Sequence, residues 1–269
     1  MSAFFVDTHT HLSAPDFDLD RAEVVSRAVA SGIRYLITIG SGYGPSSATQ
    51  AVHCAHLFPN VYAAVGLHPN DASADFKPSI LEELARDSKV VAIGETGLDF
   101  YRDHAARDLQ EKWFRAQVEL ALGLRKPLVV HCRKAEAECL RILEELGAGA
   151  IGGVFHCYSE DEVFAAKLFS INFLVSIPGS ITFKKADRFR RIVAALPLEQ
   201  IMLETDAPFL APEPHRGKRC ESGFMVETAK KVADIKKVSL EELALTTTAN
   251  AIKLFNLPVP FNYSKQHEK

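Results

Sequence analysis

The stretch VDTHTHL at residues 6–12 places two histidines two positions apart where a short apolar run ends. Side chains at i and i+2 of a β-strand project from the same face. His9 and His11 can therefore reach one point beyond the end of a strand, and neutral imidazole is the commonest metal ligand. Such a pair also arises by chance on solvated loops, so its weight depends on whether the rest of the chain offers further ligands.

Four further potential ligands, Glu95, His131, His156 and Asp206, each follow a short run rich in Val, Ile and Leu. Runs of this kind are typical of buried parallel strands, and the stretches between them have helical length and periodicity. Strands are predicted near residues 3–8, 33–39, 61–66, 90–94, 127–131, 151–156, 172–177 and 199–204. Helices are predicted near residues 18–31, 45–57, 78–87, 107–124, 134–147, 160–169, 184–195 and 223–237.

Eight strand–helix units in 269 residues predict an α/β fold, a (β/α)8 TIM barrel. An extra C-terminal helix is predicted from Leu240 to Phe255, with Ser239 as its N-cap and Glu242 completing a capping box. An open doubly wound sheet is the alternative, but no glycine-rich phosphate turn follows the first strand. In a barrel, the carboxyl ends of all strands meet at one mouth, so the six residues are expected to form one cluster.

The bulk properties are those of a single enzyme domain, predicted from 1 to 257 and followed by a flexible tail at 258–269. The net charge of −3 does not suggest a general polyanion binder. No apolar stretch approaches a membrane span, and Asp7 and His9 interrupt the place where a signal peptide needs its apolar core. Five cysteines without C-x-x-C spacing indicate reduced thiols in a cytosol. We therefore expect a cytoplasmic protein without membrane contact, assumed to be a monomer.

Nearly the whole chain, from Phe5 to about Leu257, resembles the TatD family of metal-dependent deoxyribonucleases in the amidohydrolase superfamily. The segments that carry the resemblance occur in family order and read VDTHTHL, VGLHP, AIGETGLDFYR, PLVVHCR, FHCYS, ITFKKA, LETDAPFLAP, HRGK and TTTANAIKLF. The resemblance implies two metals. One would be held by His9, His11, Glu95 and Asp206, and the other by Glu95, His131 and His156, with Glu95 as the bridge.

The chain departs from the usual family pattern in two loops. Glu160 follows Ser159 where a glycine is usual, and Cys220 and Ser222 replace residues of the usual RGKRNEP segment. Neither change touches an implied ligand. Both loops are expected near the mouth, so we expect the departures to affect substrate preference, and Glu160 would repel a polyanion if it faced the cleft.

The ligand types predict the chemistry. Four imidazoles and two carboxylates suffice for two divalent cations with positions left for water and substrate. Such a pair would lower the pKa of a shared water and polarise a phosphoryl or carbonyl oxygen. Asp206 is also a candidate general base. Thr205 and Glu204 are candidates to support it, although Glu204 can instead point to the other side of the strand. Mixed nitrogen and oxygen ligands suit Zn or Mn, and Mg is the ion usually assumed for the family.

Several basic residues are candidates for substrate binding. His215, Arg216 and Lys218 fall on the loop after the last strand, where barrels frequently bind phosphate. Arg133 lies two residues after the candidate ligand His131 and is a second candidate clamp. His68 ends the third strand and can contact substrate, or be a loop histidine with a local partner. The alternative for the basic loop is a solvated surface.

Three functions remain open from the sequence. The leading one is hydrolysis of DNA phosphodiesters by two metals, as a 3′–5′ exonuclease on single strands that contacts mainly the phosphate backbone. The second is hydrolysis of a small lactone, amide or phosphoester at the same metals. Many superfamily members of that kind bridge their metals with a modified lysine, where this chain has Glu95. The third is a metal-bound interaction protein without turnover.

Overall fold

A closed ring of parallel strands forms the centre of the molecule. The computed structural model describes residues 3–44, 46–102 and 104–258. In these residues eight strands pair in sequence order, each with the next. They are β1 (Phe5–Thr10), β2 (Ile33–Gly40), β3 (Val61–Val65), β4 (Val90–Asp99), β5 (Leu128–Arg133), β6 (Gly153–Phe155), β7 (Phe173–Ile177) and β8 (Ile201–Leu203). This topology confirms the predicted (β/α)8 barrel.

The connecting helices surround this ring. They are α1 (Arg21–Ala30), α2 (Ser47–Leu57), α3 (Pro78–Leu84), α4 (Arg107–Leu124), α5 (Glu136–Glu145), α6 (Glu162–Ser170), α7 (Asp187–Ala195) and α8 (Met225–Lys236). The predicted extra helix is α9 (Leu240–Phe255), and the Ser239 hydroxyl accepts the amide N–H of Glu242 at 3.0 Å, as a capping box requires. The larger of the two apolar cores lies between the outer wall of the barrel and these helices.

β4 is the strand that differs most from its prediction, since it continues to Asp99 instead of ending near Gly94. Gly94 and Gly97 lie within it with φ values of 149° and 133°, a region that side chains rarely adopt. A Cβ at either glycine would collide with the backbone of β5, at Val129 and His131 respectively. The glycines therefore let β4 and β5 approach closely beside the predicted ligands.

The interior of the barrel changes from apolar to polar along the strands. At the amino ends, inward side chains such as Val129, Val154 and Met202 form a second core with the inner face of α9. Two residues further along each strand, the same inward face carries His131, His156 and Glu204. Because α9 covers the apolar end, the polar end is the one that opens to solvent.

The barrel closes between its first and last strands. The Thr8 hydroxyl donates to the Leu203 carbonyl at 2.9 Å, and the His11 amide donates to the Ala207 carbonyl at 2.7 Å. The Asp206 amide donates to the His9 carbonyl at 2.9 Å. The closing seam thus joins the backbone of His9 directly to that of Asp206, and the backbone of His11 to that of the next residue, Ala207.

The domain boundaries predicted from the sequence stay a prediction. Of the proposed tail at 258–269, residues 259–269 lie outside the described residues. No helix in the described part of the chain combines the length and the apolar character needed to cross a membrane.

Candidate metal centre

The six predicted ligands meet at the mouth of the barrel, around the buried side chain of Glu95. Its Oε1 lies 2.8 Å from Nδ1 of His131 and 2.7 Å from Nε2 of His156. Its Oε2 faces the other way, 3.7 Å from Nε2 of His9. The two oxygens of one carboxylate therefore face different imidazoles, and the ring of His9 stacks on that of His156 with centroids 3.9 Å apart.

Asp206 faces His9 and His11. Its Oδ1 lies 3.6 Å from Nε2 of His9 and 3.5 Å from Nε2 of His11. These separations exceed the length of a good hydrogen bond but suit donor atoms arranged around one ion. Ligand atoms of His9, His11 and Asp206, and likewise those of His9, Glu95 and His156, lie within 4.8 Å of one another.

Several buried nitrogens of this cluster have no hydrogen-bond partner within the described residues. They include both ring nitrogens of His9, Nδ1 of His11 and Nδ1 of His156. Buried polar atoms are almost always paired, because burial without a partner costs about 1–3 kcal/mol. Of these atoms, Nε2 of His9 faces Glu95 and Asp206, so a divalent cation fits as its missing partner. His11 and His156 point their other nitrogen, Nε2, at the carboxylates of the cluster.

Electrostatics in the cluster favour anionic Glu95 and neutral His9. Burial alone would raise the pKa of Glu95, but the imidazoles of His156, His68 and His131 hold it well below its usual range. Burial and the neighbouring imidazoles lower the pKa of His9 well below 6.5. Burial would also lower the pKa of His156, but Glu95 raises it to about 10. His156 therefore keeps its proton in the metal-free protein.

Asp99 is a member of this site that the sequence reasoning missed. It is fully buried, and its Oδ2 lies 3.3 Å from Nε2 of His131. Its Oδ1 accepts the amide N–H groups of Tyr101 and Arg102 at 3.0 and 2.9 Å. Burial raises the pKa of Asp99, but His131 and these amides overcome that and hold it below its usual range. Asp99 thus orients His131, whose other nitrogen faces Glu95.

Glu204 lies inside the barrel, and the suggestion that it could point to the other side of the strand is wrong. Its Oε1 accepts the Cys157 amide at 2.7 Å and lies 3.8 Å from Nδ1 of His156, and its Oε2 accepts the Ser176 hydroxyl. The ring of His156 is therefore placed between Glu204 and Glu95. Burial raises the pKa of Glu204 to about 8.

Thr205 supports the site from the seam, as the sequence suggested. Its amide donates to Oδ1 of Asp7 at 3.0 Å and its hydroxyl donates to Oδ2 at 2.7 Å. Burial raises the pKa of Asp7 to about 6 even though these hydrogen bonds oppose it. Asp7 precedes His9, and Thr205 precedes Asp206, so this contact fixes two ligand-bearing segments against each other.

His68 lies deeper than a simple rim position. Its Nε2 is 3.4 Å from Oε1 of Glu95, and it forms a third possible ligand group with Glu95 and His131. Its Nδ1 accepts the amide N–H of Asn70 at 3.1 Å. Since Nδ1 accepts, the neutral ring carries its proton on Nε2, facing the centre of the site. In that tautomer His68 donates a hydrogen bond and does not ligate.

Two predicted arginines lie at the rim, each over an aromatic ring. The guanidinium carbon of Arg133 is 4.1 Å from the Tyr101 ring centroid, and that of Arg216 is 3.7 Å from the Phe183 centroid. Neither arginine forms a salt bridge within the described parts of the chain. The stacking restricts each guanidinium while leaving N–H donors for a phosphate.

The other predicted substrate residues of the last loop differ in their surroundings. His215 stacks flat on Phe224, with centroids 3.8 Å apart and an interplanar angle of 4°. Lys218 is exposed. Arg219 in the same loop is held by Asp20 at 2.7 Å. The basic loop is therefore only partly a solvated surface, since His215 and Arg219 have packing and pairing partners.

Two of the departures from the family pattern, Cys220 and Ser222, were expected near the mouth but lie elsewhere. Cys220 and Ser222 are fully buried, and Glu221 between them pairs with Arg27 at 2.6 Å. These residues therefore pack beneath the mouth and do not line it. Glu160 is partly buried, and burial together with Glu136 raises its pKa.

Comparison with known proteins gives the site its context. The family model described as TatD related DNase matches residues 6–256. The chain belongs to the TatD family. It is 37% identical over 253 residues to the uncharacterized metal-dependent hydrolase YabD of Bacillus subtilis, which covers 93% of this chain and 98% of the relative.

Two other TatD relatives extend this comparison. The 3′-5′ ssDNA/RNA exonuclease TatD of Klebsiella pneumoniae is 31% identical over 261 residues, covering 94% of this chain and 98% of the relative. The crystal structure of the TatD homologue YJJV from Escherichia coli K12 matches with a TM-score of 0.88 at 27% identity, over 94% of this chain and 98% of that one. The chain is thus a metal-dependent hydrolase of the TatD family with a TIM barrel fold.

Proposed function

We propose that this TatD-family hydrolase cleaves DNA phosphodiesters with two divalent cations, as a 3′–5′ exonuclease on single strands. The observation that carries the proposal is the arrangement at Glu95, whose Oε1 faces His131 and His156 while its Oε2 faces His9. The family description and the name of the Klebsiella relative support a nucleic acid as the substrate.

We assign one cation to His9, His11, Glu95 and Asp206, and the other to Glu95, His131 and His156. The unpartnered Nε2 of His9 and the approach of His9 and His11 to Oδ1 of Asp206 support the first group, and the convergence on Oε1 of Glu95 supports the second. When bound, two such cations activate a water and neutralise charge developing on a phosphoryl group. The ligand set mixes nitrogen and oxygen, so it suits Mg, Mn or Zn, and a metal analysis identifies the ion.

Asp206 is our candidate to accept the proton of the attacking water. Its side chain is 15% exposed, whereas Glu95 is 3% exposed and Asp99 and Glu204 are fully buried. Among these carboxylates Asp206 is therefore the one that solvent and substrate reach. Glu95 acts with it by fixing the positions of the imidazoles on both sides.

We propose that the phosphate backbone of the substrate binds basic side chains at the rim. These are Arg133, Arg216 and Lys218, with His215 and His68 as further contacts. Arginine can bind two phosphate oxygens at once, and binding through phosphates needs no element that reads bases. The Nε2–H of His68 can donate to an oxygen next to Glu95.

The free state of all five cysteines supports a reducing compartment such as the cytoplasm. We keep the monomer as the working assumption.

The test is a time course on single-stranded DNA labelled at its 5′ end. Protein stripped with a chelator receives Mg, Mn or Zn, and Asp206→Asn protein is treated in parallel to exclude a contaminating nuclease. The expected result is a metal-dependent ladder that shortens from the 3′ end and is absent for the variant. The matching RNA strand is included because the Klebsiella relative is named for both substrates.

Intact DNA with every metal, from protein shown to hold two ions, would contradict the proposal. The lactone, amide or small phosphoester class would then be assayed at the same centre. Increasing salt separates the classes further, since binding to DNA weakens steeply with salt whereas a small neutral substrate is little affected.

A further inference from the structure

An aromatic wall lies beside the metal centre, formed by Tyr43 after β2 and Phe209 after β8. The two rings are nearly parallel, with an interplanar angle of 18° and centroids 6.5 Å apart. Both contact the ring of His11, at centroid distances of 5.4 Å for Tyr43 and 6.1 Å for Phe209. The wall therefore starts at a proposed metal ligand.

Phe209 continues this wall into solvent. Its side chain is 51% exposed, whereas His11 beside it is 5% exposed. The amide N–H of Phe209 donates to the Asp206 carbonyl at 2.8 Å, so the backbone of Phe209 is fixed one turn from the proposed general base. A large apolar ring held half-exposed at an active-site mouth is placed to contact a substrate.

The Tyr43 hydroxyl supplies a second, independent observation. It is buried and has no hydrogen-bond partner within residues 3–44, 46–102 and 104–258. A phenol is protonated at neutral pH, so the hydroxyl is available as a donor. An unpaired buried hydroxyl costs free energy that a bound acceptor would recover.

We propose that Tyr43 and Phe209 hold a nucleobase next to the scissile phosphate. Phe209 stacks on the base, and the Tyr43 hydroxyl donates a hydrogen bond to the same nucleotide. This inference rests on the proposed nuclease function and adds to it a source of strand preference. A base inside a duplex is already stacked on both faces, whereas a base in a single strand is free to stack on a side chain. Every base has an aromatic face, so the contact tolerates any sequence.

The experiment compares single strands that differ by one base. One oligonucleotide is unmodified, and two others carry a stable baseless sugar at the terminal or the penultimate position. The wild type should cleave one of the baseless strands about 5- to 150-fold less efficiently, since stacking contributes that much to binding. Phe209→Ala should lose a similar factor on the unmodified strand only. The ratio of its cleavage efficiency on the unmodified strand to that on the baseless strand should therefore fall towards one. Phe209→Tyr should restore the ratio.

Two further variants complete the test. Tyr43→Phe keeps the ring and removes the hydroxyl, so KM should rise severalfold on base-bearing and baseless strands while metal content stays unchanged. Leu57→Ala is the control, because Leu57 is an apolar side chain of similar exposure, 54%, at the carboxyl end of α2. Its ratio should equal that of the wild type.

The outcomes separate this inference from the function on which it rests. A wild type that cleaves no strand refutes the nuclease proposal, and this inference with it. A wild type that cleaves base-bearing and baseless strands equally well refutes the inference alone. A Phe209→Ala variant that still discriminates between base-bearing and baseless strands as the wild type does would also overturn it, and loss of metal from Phe209→Ala would show that the ring supports His11 instead.

Discussion

Replacing Glu95 with glutamine should destabilise the metal-free protein in a way that depends on pH. Glutamine has nearly the same shape, so the change removes the charge and leaves the volume. In the metal-free chain Glu95 lies 2.7 Å from Nε2 of His156 and raises the pKa of that imidazole to about 10. The variant loses the partner of this buried proton.

The magnitude follows from that pKa. With about 10 in the folded chain and 6.5 in the unfolded chain, the proton on His156 contributes about 4 kcal/mol at pH 7. Glu95 supplies the largest share of this, since it raises the pKa more than Glu204 and Asp206 do. Breaking a buried ion pair by removing one partner costs about 3–5 kcal/mol, in agreement. The folded pKa is the higher one, so this contribution is complete below pH 6.5 and is lost as the pH rises through 10. The wild type and the variant should therefore differ by less than about 1 kcal/mol at pH 10.

Urea unfolding in a chelator at each pH unit from 7 to 10 measures this difference. The charge-removing change Glu145→Gln is the surface control, because Glu145 is exposed and pairs with Arg115 and Arg141. Its effect should be small and should not follow the titration of His156. A difference between wild type and Glu95→Gln that is constant from pH 7 to 10 would refute the pairing of Glu95 with His156. Full activity together with two bound ions in Glu95→Gln would refute its bridging position.

Three further predictions concern the metals and the rim. Glu204→Gln should lower metal affinity or activity about 10- to 100-fold, because it weakens the support behind His156, and metal titration that matches the wild type would contradict this. Metal binding at pH 7 should release at least one proton, since ligation requires neutral His156. Calorimetry in two buffers of different ionisation enthalpy measures the number of protons released, and a binding enthalpy that is the same in both buffers would disprove the prediction. Arg216→Ala should reduce the slope of the logarithm of the DNA-binding constant against the logarithm of salt concentration by about one, while metal content stays unchanged. Arg219→Ala is the control, and a loss of metal from Arg216→Ala would exclude the clamp assignment.

The gathering of the six ligands could be predicted because it needs only the fold and the ends of the strands. Each proposed ligand lies at or just beyond the end of an apolar run, and a barrel brings all such positions to one mouth. Asp99 was missed because Gly94 and Gly97 suggest the end of a strand. The strand continues through both glycines, and Asp99 then lies on the same side as Glu95, four residues earlier.

Other parts of the site depend on information that the sequence carries only weakly. The side of Glu204 follows from strand alternation, since it lies two residues before Asp206, but its partners Ser176 and Cys157 come from other strands. Tyr43 lies in a loop without periodicity, and only the folded chain brings its ring to His11. Local patterns predicted the strands, whereas contacts between loops required the structure.

The seam between β1 and β8 determines when a newly synthesised chain can become active. His9 and His11 leave the ribosome long before their partner Asp206, which emerges only after α7 and β8. No fragment that stops before β8 contains the complete ligand set, so an unfinished or truncated chain cannot assemble the proposed hydrolytic centre. For an enzyme proposed to cut nucleic acids, this order of synthesis ties activity to the completed barrel and keeps nascent chains inert beside the RNA that encodes them.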